Sequence, residues 1–399
     1  MKAPRRARSA YAAVLFCSLL VLLLPPLVAG LSIGSDATPG ELARMQRIVG
    51  PSQSSQQQQQ QQPSPPAVAS ERVDTGGSRL FHTATLGSSV GGWPDDSEAQ
   101  QALVVQARLA QVFGLGALAL LTYLSVLLAR GRLQALFACA LFSLLPPVAQ
   151  AGHILRPETI ATTFAMLAVV LFQAASRPAP RARSRSPLRS QAAGAGLMLC
   201  GALAAAMTCE TMPSLGKILL VPGLVLVVAS IQLGSRTYQC WRRRELEGTP
   251  IRAVNRRLVP WTATALLAPA MTIALMRLSW TVPVEALAVT EQVSELLPAL
   301  SVASLPTFVL MLIGLVAGIL RVGLRLGRRA KVGPDLILFV FCALFLMPTL
   351  AAAAMGGGRA AVPPDPLPQL PAMAVVLSEG LRTLLELAVR ALRRVRGRR

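Results

Sequence analysis

Apolar and basic positions alternate along this chain in a regular order. From residue 109 onward, apolar stretches of roughly 17 to 23 residues, the length that crosses a bilayer as a helix, are separated by short polar gaps. They cover residues 109–129, 133–151, 159–175, 192–209, 217–234, 258–276, 304–320 and 335–355. Every second gap is loaded with arginine: Arg130 to Arg132, Arg177 to Arg189, Arg236 to Arg257 and Arg321 to Lys331. These four gaps hold nineteen basic residues, whereas the intervening gaps and their edges hold only Arg156, Lys217, Arg277 and Arg359. Short loops rich in Lys and Arg stay on the cytoplasmic side. The pattern therefore predicts an all-α polytopic transmembrane helix bundle of about eight spans, with its arginine gaps in the cytosol.

The N-terminus gives the same orientation by a separate signal. Lys2, Arg5, Arg6 and Arg8 precede an unbroken apolar run from Tyr11 to Leu24, followed by Pro25-Pro26 and the small-residue positions Val28 and Gly30. This is the layout of a secretory signal peptide or an uncleaved signal anchor over residues 1–30. Residues 31–108 are Gln-, Pro- and Ser-rich, with seven consecutive glutamines from Gln56 to Gln62. Such a segment lacks the apolar residues for a core and is expected to be a disordered lumenal or extracellular arm. Its glutamine tract is a candidate contact for protein partners.

Composition narrows the class. The chain is 53% hydrophobic and 14% charged over 399 residues, against about 25% charged in ordinary soluble domains. A formal charge of +21 would suggest nucleic-acid binding in a soluble protein. Here the charge sits in loops between spans, so membrane lipids are the expected partner and no nucleic acid is. Two histidines, His82 and His153, leave no His-rich metal site. No glycine motif ending in Gly-Lys-Ser/Thr occurs, so no cofactor is expected. The six cysteines avoid the predicted non-cytoplasmic loops, which argues against a disulfide framework.

Within the spans, Pro146-Pro147, Pro222, Pro260, Pro269, Pro306 and Pro348 are potential helix breaks, a device of transporter ion sites that is also common in membrane helices generally. The Ala- and Gly-rich run from Ala192 to Cys209 and the Gly314-x-x-x-Gly318 spacing suit close helix packing. After 355 the pattern weakens: residues 356–399 read as a proline-rich linker and a basic amphipathic helix. Ala372 to Leu392 is apolar but carries Glu379, Arg382, Glu386 and Arg390. Central charges each cost roughly 2.5–3.5 kcal/mol on insertion scales, which favours a surface helix over a ninth span. Strict alternation would put its basic tail on the lumenal side, the one exception to the charge rule; re-entry of the chain to the cytosol is the alternative.

Chemistry is sparse and lies on the face opposite the arginines. Asp95, Asp96 and Glu98 precede the first span, and Glu158, Glu210, Glu285, Glu291, Glu295 and Asp365 follow in the non-arginine gaps. The sequence Trp93-Pro94-Asp95-Asp96, followed by Arg156-Pro157-Glu158 at the third span, resembles the polytopic GT-C-type glycosyltransferases that use lipid-linked sugars. The resemblance covers residues 94–175. It implies Asp95 or Asp96 as catalytic base and Arg156 as a contact for the lipid phosphate; Glu158, among the acids of this face, is a further catalytic candidate. The pattern departs from the family in having Asp rather than Glu at position 96 and in standing about sixty residues beyond the signal segment. A small-solute or ion transporter lined by Glu210, Lys217 or Arg277, and a non-catalytic structural or adaptor membrane protein, remain alternatives. The expected location is the endoplasmic reticulum and endomembrane system or the cell surface.

Overall fold

The computed structural model describes residues 96–145, 148, 157–177, 187–211, 213–242, 251–279, 304–329, 333–354 and 369–396. The expected signal segment at residues 1–30, the glutamine tract, Asp95 and Arg156 lie outside the described residues. Nine α-helices are seen among them: α1 (Ser97–Ala129), α2 (Arg132–Leu144), α3 (Pro157–Ser176), α4 (Pro187–Thr211), α5 (Leu220–Arg242), α6 (Ile251–Ser279), α7 (Ser304–Arg329), α8 (Pro334–Ala354) and α9 (Leu370–Arg396). A 3-10 segment, Pro213–Leu219, joins α4 to α5.

Each of the eight apolar stretches of the sequence falls on one of α1 to α8. Three helices are long and apolar enough to cross a membrane, and five more carry shorter apolar stretches. The protein is a helical, multi-pass integral membrane protein. α6 runs unbroken through Pro260 and Pro269, and α8 continues past Pro348. The interruption among the described residues is the 3-10 segment at Pro213.

α1 begins twelve residues before the apolar stretch that predicts it. Asp96 caps it, its carboxylate accepting the amide of Glu98 at 3.3 Å, so the polar first turns gain a stable start. One stripe of α1 is buried from Val104 through Leu115 and Leu118 to Val126, at helical spacing. Phe142, Phe172, Phe341 and Phe345 fill the core, each with no exposed surface.

Side-chain contacts place the helix ends. Arg177, after α3, donates to the Leu128 carbonyl near the end of α1 at 2.7 Å. Gln173 of α3 donates to the Pro334 carbonyl at the start of α8 at 3.1 Å. Arg130 lies 3.7 Å from Asp335, and Arg321 of α7 lies 2.7 Å from Glu379 of α9. The ends of α1 and α3, the start of α8 and the Arg321 turn of α7 thus gather at one end of the bundle. These are the elements that flank arginine gaps, and we refer to this as the basic end.

α9 joins the bundle there. Its first half, Leu370 to Gly380, is almost wholly buried, and residues 384–394 are exposed. Glu379, 1% exposed, accepts from Arg130 and from Gln134 of α2. Arg321 makes a charge contact with its other oxygen, out of hydrogen-bond alignment. Seven residues deeper on both helices, Cys342 of α8 meets the Ala372 carbonyl at 4.0 Å. α9 therefore runs antiparallel to α8, starting inside the bundle and leaving through the basic end. The tail from Arg390 onward emerges on the same side as the arginine gaps, which removes the exception to the charge rule.

Glycine makes this docking possible. A Cβ on Gly314 of α7 would collide with the Val376 carbonyl oxygen, and one on Gly380 with the Leu310 carbonyl oxygen. The two backbones touch, as small residues permit. Gly318 meets only the Phe339 ring, at 3.9 Å.

Two outcomes test this packing by thermal unfolding in detergent. Gly314→Val should lower stability by about 1–3 kcal/mol through overpacking, whereas Gly318→Ala should leave it within about 0.5 kcal/mol. Glu379→Ala, which removes the carboxylate that faces Arg130 and Arg321, should cost about 3–5 kcal/mol.

Candidate functional site at the acidic end of the bundle

The end opposite the arginines is organised around the parallel pair α1 and α3. Gln111 of α1 donates to the Thr159 hydroxyl at 2.5 Å, and one turn further on Thr163 donates to the Gly114 carbonyl at 3.4 Å. Gly114 lets Thr159 approach, since a Cβ there would stand 3.1 Å from the Thr159 methyl. The two helices stay in register from this bond to the Arg177–Leu128 contact.

That register sets depths. Nineteen residues of helix separate Gln111 from Arg130, about 28 Å at 1.5 Å per residue. The hydrocarbon core is about 30 Å thick. Gln111 and Thr159 therefore lie at the membrane face opposite the basic end.

Two ionisable side chains stand on the outer side of that bond. Glu158 opens the first turn of α3, where the positive helix terminus favours a carboxylate. Its Oε2 is buried and has no hydrogen-bond partner among the described residues. Arg108 is three residues before Gln111 on the same face of α1 and is only 2% exposed. Glu158 thus keeps an unused carboxylate oxygen close to the depth of the buried Arg108 side chain. Arg108 lies just outside the apolar stretch that begins at Leu109, so reading by spans passed over it. Its signal in the sequence is a single arginine between Ala107 and Leu109 with no basic neighbour.

Asp96 is elsewhere. It precedes Gln111 by fifteen residues, about 22 Å of helix, and is exposed. The structure thus separates Asp96 from the level of Glu158. Lys217 belongs to the 3-10 interruption, and its Nζ lies 4.4 Å from the centre of the Phe345 ring, a cation–π contact. No cluster of three or more His, Cys, Asp or Glu suited to a metal occurs among the described residues.

No family model matches the chain, and no curated protein matches it. Among solved structures it is similar to ArnT from Cupriavidus metallidurans bound to undecaprenyl phosphate, with 14% sequence identity and a TM-score of 0.46. The match covers 94% of this chain and 60% of that one, so the chain spans about three fifths of the length of the solved protein.

The Gln111–Thr159 bond can be checked directly. Gln111→Leu and Thr159→Val should each cost about 1–3 kcal/mol by leaving a buried partner unsatisfied. The double variant should cost less than the sum, read as a coupling in thermal unfolding.

Proposed function

We propose that this protein is a membrane-embedded glycosyltransferase of the secretory pathway that takes its sugar from a lipid-phosphate donor at the lumenal membrane face. The observation that carries the reading is the unpartnered buried oxygen of Glu158 at the depth of Arg108, where a lipid phosphate meets the membrane surface. Loop charge sets the orientation, with the arginine gaps cytosolic and the Glu158 end lumenal.

In this reading the Glu158 carboxylate takes the proton of an acceptor hydroxyl as its oxygen bonds to the anomeric carbon of the sugar. The bond from that carbon to the lipid phosphate breaks, and the lipid phosphate leaves with the electron pair. Arg108 neutralises the charge that develops on it. Asp96, far along α1, serves as the helix cap, and Glu158 takes the role of base. The signal-like pattern of residues 1–30 supports a location in endomembranes or at the cell surface.

The test is release of polyprenyl phosphate from polyprenyl-phosphate sugars by the full chain in proteoliposomes with a hydroxyl acceptor. Glu158→Gln should slow release by about 10²–10⁴-fold, the usual contribution of a general base, while Asp96→Asn should leave turnover near that of the parent. Full turnover in Glu158→Gln, or no release by the parent protein with any donor, would overturn the reading.

A further inference from the structure

The second half of α9 has a built asymmetry that the bundle does not use. From Leu381 to Arg396, at 100° per residue, Leu381, Leu384, Leu385, Ala388 and Leu392 fall on one face. Arg382, Arg390, Arg393 and Arg394 fall on the other with Glu386. The apolar face is open: Leu385 is 48% exposed and Leu392 64%. Arg382 is occupied, bonding Gln134 and Glu386 at 2.8 Å each, and this bond holds the Glu386 carboxyl below its usual range. Five arginines, counting Arg396, thus face one ionised glutamate over these residues.

The position of this half-helix is fixed by its root. Glu379 pins α9 at the level of Arg130 and Asp335, and the exposed residues begin one turn later, where the bundle ends. Aqueous exposure of a leucine stripe beside an arginine stripe is unfavourable, and an anionic lipid surface satisfies both. We propose that residues 384–396 form an anchor that binds anionic lipid headgroups of the leaflet at the basic end. The leucines enter the acyl boundary, and Arg390, Arg393 and Arg394 meet the phosphates.

The anchor is independent of the transferase reading, since it lies at the opposite end of the bundle. Its experiment uses the full chain in nanodiscs of phosphatidylcholine alone or with about 30% phosphatidylserine, following amide hydrogen exchange of residues 384–396. Phosphatidylserine should slow exchange there at least roughly tenfold, given about 1 kcal/mol per surface arginine. High salt should reverse the effect, and so should the triple variant Arg390→Ser, Arg393→Ser, Arg394→Ser. These sites are exposed, so the bundle should stay folded, and unchanged exchange in Leu370 to Gly380 is the control. Equal exchange in the two lipids, protection that survives loss of the arginines, or protection that follows protein concentration instead of lipid charge would overturn the proposal. The last of these would mark a protein–protein surface.

Discussion

A buried carboxylate decides how this bundle closes. Glu379 has lost its water and is held by Arg130 from the end of α1, Gln134 from α2 and Arg321 from α7. An unpaired charge at that site would cost several kcal/mol, so α9 is stable in the bundle only where these three partners meet. They meet where the arginine gaps begin. The same arginines that orient the spans in the bilayer therefore supply the countercharge that fixes the last helix.

The constraint propagates along α9 in both directions. Inward, it sets the contact between Gly380 and Leu310 and that between Gly314 and Val376, where any side chain would push the helices apart. Outward, it brings the basic tail into water or lipid on the arginine side. At the other end no comparable ion cluster occurs among the described residues, and Glu158 keeps an oxygen with no described partner. Glu379 also has an oxygen without an aligned hydrogen bond, but Arg321 faces it at 2.7 Å.

The bundle itself was legible because a spanning helix must be apolar over its length, and each of the eight stretches corresponds to a helix. What local pattern could not show was pairing across long sequence separations. The charges of α9 look costly when summed against lipid. Glu379 has partners more than fifty, and up to about 250, residues earlier in the chain, and no local window contains them. The acids before the first span were read for chemistry, while Asp96 followed by Ser97 and Glu98 also has the signature of a helix cap, which is the role the structure gives it. Gly314 was legible as a packing glycine, but its partner Gly380 was not, because the two helices meet through the fold alone. Of the candidate site, Glu158 was read from its acidity and position. Arg108 and Gln111 became visible only once α3 lay beside α1.

The central claim is that the ion cluster at Glu379 directs the tail of α9 out through the basic end. The most direct measurement is sidedness in microsomes, with one glycan acceptor site inserted near residue 183 and, in a second version, one appended after Arg399. Acceptors near residue 90 serve as the positive control. The account predicts that the tail site and the site near residue 183 behave alike and stay unmodified while the control is glycosylated. A tail that is glycosylated while the site near residue 183 is not would contradict it.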